Sequence, residues 1–306
     1  MKFYIVDAFT DTLFGGNPAG VAILDEHVDF PSEDQMRKTA AELRYSETAF
    51  VKPLGDGEFH TRYFTPTDEV DLCGHATIAA FTVLQSEGLA HSRIDDQGEH
   101  FCLNKTLAGD LVIGLEKNRI MMDMATPQNL GVVQKEESID ELYGIMGLAR
   151  EKIQATDLNG KRVDLLPMII STGLPDIMMP VSSPEALSDI HPDFDALSDL
   201  SSRYQVTGVH AFALGNGQGS ATAYCRNYAP LYGIPEEAAT GTSNGALTYY
   251  LYLNGLVGDG GNQQFIQGRE MNRPSLIEST LKIKDAAPII RVGGTGVILA
   301  KGSIFI

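Results

Sequence analysis

Two short strings carry the side chains best suited to moving a proton. Ser46-Glu47-Thr48-Ala49-Phe50 sets one carboxylate at the opening of a strand, between a helix and an apolar run. Cys73-Gly74-His75 sets an imidazole directly after a glycine where a helix should begin. A carboxylate drawn into a water-poor recess suits general acid/base work near neutral pH. A solvated strand-edge glutamate is the other reading, because most glutamates are exposed. At a helix N-terminus the pKa of His75 should fall, leaving a neutral imidazole able to shuttle a proton. A capping or packing histidine is the alternative.

Around these two lie residues of lesser weight. Glu236-Glu237 precede a second glycine, Gly241, and one of them could orient His75 or a substrate; a solvated acidic turn is the plainer use. Thr77, Thr242 and Ser243 could cap helices or hydrogen-bond a ligand. Asn17 sits in Gly15-Gly16-Asn17-Pro18, a turn-forming string. Cys73 reads as a small buried residue at a helix entrance. Gly215-Asn216-Gly217-Gln218-Gly219 lies between two strands with no helix after it, so it reads as a hairpin loop and not a phosphate cradle. The histidines show no HExxH-type spacing, so no metal site is expected.

The elements that must position these residues occur twice. Arg62-Tyr63-Phe64-Thr65-Pro66, followed by Asp71 to Thr77, is answered by Arg226-Asn227-Tyr228-Ala229-Pro230, followed by Glu236 to Asn244. Gly16-Asn17-Pro18 is answered by Gly173-Leu174-Pro175, and Ala49-Phe50 by Ala211-Phe212. Each copy reads as strands, then a short acidic loop, then a glycine opening a helix. The helices, Ala76 to Gln85 and Gly245 to Leu253, are apolar on most sides and so belong inside a domain. A further helix is expected after Pro31-Ser32, with Met36, Thr39, Ala40 and Leu43 as its apolar stripe, and others over Ser138 to Leu148 and Phe194 to Tyr204. The period is near half the chain, too long for a solenoid. Residues 1–118 and 119–306 form the two expected halves, with the C-terminal strands able to pack back on the first. The site is expected where the copies face each other, lined by helix N-termini that suit a carboxylate.

Composition narrows the partners. The chain has 306 residues, 43% hydrophobic and 21% charged, enough for two ordinary cores. Its net charge of −17 argues against nucleic acid or an anionic membrane as partner. Three scattered cysteines give neither a disulfide framework nor a zinc site. Met1 to Thr10 alternates like a strand and lacks the form of a signal peptide, and no run is long enough to span a membrane, so a cytoplasmic location is expected.

Taken in order, these strings resemble the phenazine-biosynthesis (PhzF-like) isomerase family of the diaminopimelate-epimerase-like fold. The resemblance rests on Asp7-Ala8-Phe9-Thr10, Phe14 to Val21, Ser46 to Val51, Arg62 to Pro66, Glu69 to Thr77, Gly173-Leu174-Pro175, Glu236 to Gly245, Gln267-Gly268-Arg269 and Arg273-Pro274-Ser275. It implies an α+β fold of two pseudo-symmetric domains, each a curled mixed β-sheet around a central helix, usually as a homodimer. It also implies cofactor-free chemistry, with the family's catalytic glutamate falling on Glu47 and its Gly-His pair on Gly74-His75. Glu237-Ala238 and Thr242 stand where the family often has Asp-Pro and Ser. The related epimerases use two opposed thiols, whereas this chain offers Cys73 and Ser243, which disfavours a two-thiol mechanism. The expectation is therefore an isomerase moving a proton on a small anionic carboxylic acid. Glu47, His75 and Glu237 would be catalytic, with Asn17, Ser46, Gly74, Ala76, Thr77, Gly241, Thr242 and Ser243 around the substrate. An amino- or hydroxy-acid epimerase or racemase, or a small-acid-binding protein without turnover, are the alternatives.

Overall fold

The computed structural model describes residues 1–149, 155–156, 162–215 and 221–306. Asn216 to Gly219 of the expected hairpin loop lie outside the described residues. The chain divides into two compact units, Met1–Asp123 with Gly293–Ile306, and Met124–Val292.

The first unit carries β1 (Lys2–Ala8), β2 (Asn17–Ile23), β3 (Thr48–Gly55), β4 (Glu58–Phe64), β5 (Glu69–Val70), β6 (Arg93–Ile94), β7 (His100–Thr106), β8 (Gly109–Glu116) and β9 (Arg119–Asp123). The second carries β10 (Gln128–Val132), β11 (Ala155–Thr156), β12 (Arg162–Val163), β13 (Met168–Ser171), β14 (Pro175–Val181), β15 (Gly208–Leu214), β16 (Ala223–Ala229), β17 (Ile234–Glu237), β18 (Asn262–Gln267), β19 (Ser275–Lys284) and most of β20 (Ala287–Gly294). The last strand, β21 (Gly296–Ser303), returns to the first unit.

The main run of strands in the first unit is β21-β1-β2-β3-β4-β7-β8-β9. In the second it is β10-β13-β14-β15-β16-β18-β19-β20. Both contain parallel steps at the same places, β2/β3 and β4/β7 in one, β14/β15 and β16/β18 in the other. The duplication read from motifs is thus a duplication of topology. Each run also starts with a strand that follows the opposite repeat in sequence: β21 pairs with β1, and β10 with β13.

Each sheet curls around a helix. In the first unit α2 (Gly74–Ser86) packs against β1, β2, β3, β9 and β21. Every residue from His75 to Phe81 is buried, and Phe81 meets Phe59 edge-on at 5.4 Å. Truncating such a phenylalanine costs about 3–5 kcal/mol through lost burial and the cavity left behind. The other side of this sheet is covered by α1 (Glu33–Leu43). Its capping box joins Ser32 and Gln35, and it buries Met36, Thr39 and Ala40. It stops at Arg44 in the left-handed region, φ 61°, which turns the chain toward β3. In the second unit α6 (Gly241–Leu253) is the wrapped helix, packed on β13, β14 and β19. Helices α3 (Glu136–Ile145), α4 (Pro184–Ser188) and α5 (Phe194–Tyr204) form a second core layer with Ile177, Val209 and Ala211.

Both wrapped helices start earlier than their apolar runs suggest. The polar first turn of α6 is accommodated because its side chains turn inward to partners. Asn244 Nδ2 donates to the Thr240 carbonyl at 2.9 Å and to Gln267 Oε1 at 2.9 Å, and Ser243 Oγ donates to Asp176. A polar string therefore reads as a loop but folds as buried helix.

Candidate active site

Glu47 lies between the end of α1 and the first residue of β3. Its carbonyl accepts the Gly20 amide at 3.3 Å, which fixes it to β2 one residue ahead of the parallel β2/β3 pairing. Its side chain is 14% exposed and its Oε2 is buried, 3.3 Å from His75 Nε2. The two atoms are close without being aligned as a hydrogen bond. Ser46 Oγ lies 3.3 Å from the same ring nitrogen. On the other side of the ring, Cys73 Sγ is 3.3 Å from Nδ1. The imidazole is thus flanked by a carboxylate and a hydroxyl at one nitrogen and by a thiol at the other.

Burial pushes the His75 pKa down, while the nearby Glu47 charge pulls against that shift without cancelling it. The ring is neutral at neutral pH, with one nitrogen to donate and one to accept. This is the state in which an imidazole can pass a proton along or polarise a group beside it.

A hydrogen-bonded chain beneath α2 holds its first turn. Thr77 Oγ1 donates to the Cys73 carbonyl at 2.7 Å and lies 2.6 Å from Tyr63 Oη, which also accepts from Asn104 Nδ2 at 3.1 Å. Thr61 Oγ1 completes it by donating to Asn104 Oδ1 at 2.6 Å. Thr77 is fully buried in this chain, and Ala76 is buried beside it. The loop before α2 is held by Arg62, whose Nε and Nη2 reach the two Glu69 oxygens at 2.6 and 2.5 Å. A planar guanidinium meeting both oxygens fixes orientation as well as distance.

The second unit repeats that brace. Arg226 Nε and Nη2 meet both Glu236 oxygens at 2.8 Å, so Glu236 is spent on holding the loop before α6. Glu237 accepts from Thr240 Oγ1 at 2.7 Å, and its carbonyl takes Gln267 Nε2 at 2.7 Å. Gly241 is buried, the Thr242 carbonyl accepts from Thr172 Oγ1 at 2.9 Å, and the Ser243 hydroxyl is turned into the core toward Asp176. Asn17 is buried at the start of β2, opposite Ala8. It follows Gly16 at φ 61°, where an added Cβ would come 2.1 Å from the Ala8 carbonyl oxygen. Only glycine fits there.

Two features escaped sequence reasoning. Cys73 read as a packing residue, and its place on the His75 ring follows from the turn of α2. Asp176, Ser243, Asn227 and His210 form a buried polar cluster in the second unit. Asn227 Nδ2 donates to Ser243 Oγ at 3.1 Å and lies 3.3 Å from His210 Nδ1. Burial pushes Asp176 up to about 6 and His210 down to about 3. The only signal in the sequence was Asp176 standing where the first copy has Ala19.

Comparison with known proteins agrees with fold and motif. The family model described as phenazine biosynthesis-like protein matches residues 6–302. An uncharacterized isomerase from Clostridium acetobutylicum is 32% identical, over 99% of this chain and 97% of its own length. A trans-2,3-dihydro-3-hydroxyanthranilate isomerase from Pseudomonas fluorescens is 28% identical over 99% of both chains. A crystal structure of a PhzF-family phenazine biosynthesis protein from Bacillus anthracis superposes with a TM-score of 0.83 at 24% identity, covering 100% of this chain and 99% of that one. The chain belongs to the phenazine biosynthesis-like family, with the family's α+β fold of two sheet-wrapped helices. It is an isomerase of that family, like the relatives that match it from end to end. Among the described residues no helix is long and apolar enough to cross a membrane.

Proposed function

We propose that the protein moves a proton between two carbons of a small unsaturated carboxylic acid, with Glu47 as the general acid/base. The observation that carries this reading is the buried Glu47 Oε2 set 3.3 Å from a buried, neutral His75. In the first step the Glu47 carboxylate takes a proton from carbon and the electron pair enters the conjugated system. In the second the carboxylic acid, whose acidic proton exchanges with water, delivers a proton to a different carbon and the double bond shifts. Atoms and electrons balance within the substrate, and side chains suffice to carry the proton. His75, its neutral ring 3.3 Å from the Glu47 carboxyl group, assists by relaying the proton. Backbone N–H groups at Gly74 bind the substrate carboxylate, since helix starts favour anions. Ser46 and Asn17 complete the surroundings.

The Pseudomonas fluorescens relative is named for trans-2,3-dihydro-3-hydroxyanthranilate, which is the first compound to test. Glu47→Gln keeps size and shape but cannot exchange a proton in the same way. It should lower turnover by more than ~100-fold, the lower range for acid/base catalysis, with an unchanged circular dichroism spectrum. Turnover surviving in this variant would remove the assignment.

A further inference from the structure

Cys73 has a second consequence for the site. Glu47 Oε2, Cys73 Sγ and a ring nitrogen of His75 lie within 4.8 Å of one another. His75 Nε2 is 3.3 Å from Glu47 Oε2 and 3.9 Å from Cys73 Sγ. Around a tetrahedral zinc ion, with bonds of roughly 2.0–2.3 Å, neighbouring ligand atoms stand about 3.3–3.8 Å apart. Cys73 Sγ lies nearer Nδ1, at 3.3 Å, so the thiol must turn toward Nε2 for the three donors to share one ion. They also have the right chemistry. Thiolate, imidazole and carboxylate together suit zinc over magnesium or calcium, which prefer all-oxygen shells. Glu47 Oε2 is buried and makes no hydrogen bond, so it offers an oxygen aimed into the cluster. The residues come from the strand β3 entrance and the first turn of α2, both fixed by the contacts described above.

We propose that this cluster is a zinc-binding site, with three protein ligands and one position left to water, and that zinc bound there switches the enzyme off. Binding breaks the Cys73 S–H bond, releases that proton to solvent and forms a metal–sulfur bond, with no change in oxidation state. The ion occupies Glu47 and His75 together, so neither can handle a substrate proton. The inhibition rests on the catalytic reading given above; the binding does not.

Cobalt(II) reports both the geometry and the thiolate, so the purified protein is titrated with cobalt chloride and followed by absorption. One equivalent per chain should give intense tetrahedral visible bands and a sulfur-to-cobalt charge-transfer band, both displaced by zinc. Cys73→Ser should lose the charge-transfer band. Glu47→Gln should keep it while zinc affinity, measured by competition with a chromophoric chelator, falls at least ~10-fold, the lower bound for disturbing a metal's surroundings. Cys102→Ser, which alters a thiol outside the cluster, should change nothing. Absence of the charge-transfer band in the wild type, or its persistence in Cys73→Ser, would overturn the site. If zinc binds in this way and turnover continues, the site stands and the catalytic assignment of Glu47 and His75 fails.

Discussion

His75 is where the chemistry of the site is balanced. Burial lowers its pKa and the Glu47 charge partly restores it, so the sign of a mutation follows directly. Replacing Glu47 by Gln removes the charge that raises the ring's pKa, and the histidine should titrate at a still lower pH than in the wild type. Imidazole resonances followed by NMR should show a wild-type midpoint below the ordinary 6.5 and a lower one in the variant. A midpoint above 6.5, or an upward move in Glu47→Gln, would contradict the geometry. At this scale the sequence was informative where a motif is contiguous, as in Ser46-Glu47 and Gly74-His75. It was silent where a contact joins residues far apart. The Asp176–Ser243 pair spans 67 positions, and no local pattern announces that partnership.

Among the elements, α6 and the strands beneath it share the buried cluster of Asp176, Asn227, Ser243 and His210. Desolvation raises Asp176 from 3.8 to about 6, although hydrogen bonds from Ser243, the Gly208 amide and Asn227 favour its ionised form. A raised folded-state pKa means that this group's stabilising contribution is complete below the unfolded value. It is lost as pH rises from about 4 through about 6. Asp176→Asn cannot ionise and can still accept from Ser243. Its stability relative to the wild type should therefore rise between pH 4 and pH 7, by on the order of 2–3 kcal/mol. His210, held down at about 3 by burial, works in the opposite sense. It favours folding above the unfolded histidine value and gives that up as pH falls, and it cancels from the comparison if unchanged in both proteins. Urea melts at several pH values measure the difference; a pH-independent offset would show that Asp176 is not the titrating group. The helices and strands were legible because their apolar spacing is strong. The helix starts at Gly74 and Gly241 were marked by the glycines, but the polar run Gly-Thr-Ser-Asn of α6 owes its helical state to buried partners brought in from elsewhere in the fold.

For the whole molecule, duplication was visible in paired motifs and a return of the C-terminal strands to the first half was expected, but which strands form the edges was not written in any motif. β21 comes last in the chain and pairs with β1, the first strand. It also approaches α2 closely: a Cβ on Gly296 would stand 2.6 Å from Thr82 Oγ1. Removing residues 296–306 should therefore strip the edge from the first unit while leaving the strands of the second intact. Hydrogen exchange by mass spectrometry should show β1, β2 and α2 losing protection, with β14 and β15 retaining theirs. Equal loss in both units would mean that they do not fold as separate bodies of contacts.

The most direct test of the central claim is the path of the proton itself. The wild type and Glu47→Gln are incubated in deuterium oxide with trans-2,3-dihydro-3-hydroxyanthranilate and with a panel of small unsaturated carboxylic acids, and the recovered compounds are weighed by mass spectrometry. The wild type should place one solvent deuterium on carbon in at least one compound, and the folded Glu47→Gln protein should not. Equal carbon-bound deuterium from both proteins would contradict the assignment of Glu47 as the group that carries the proton.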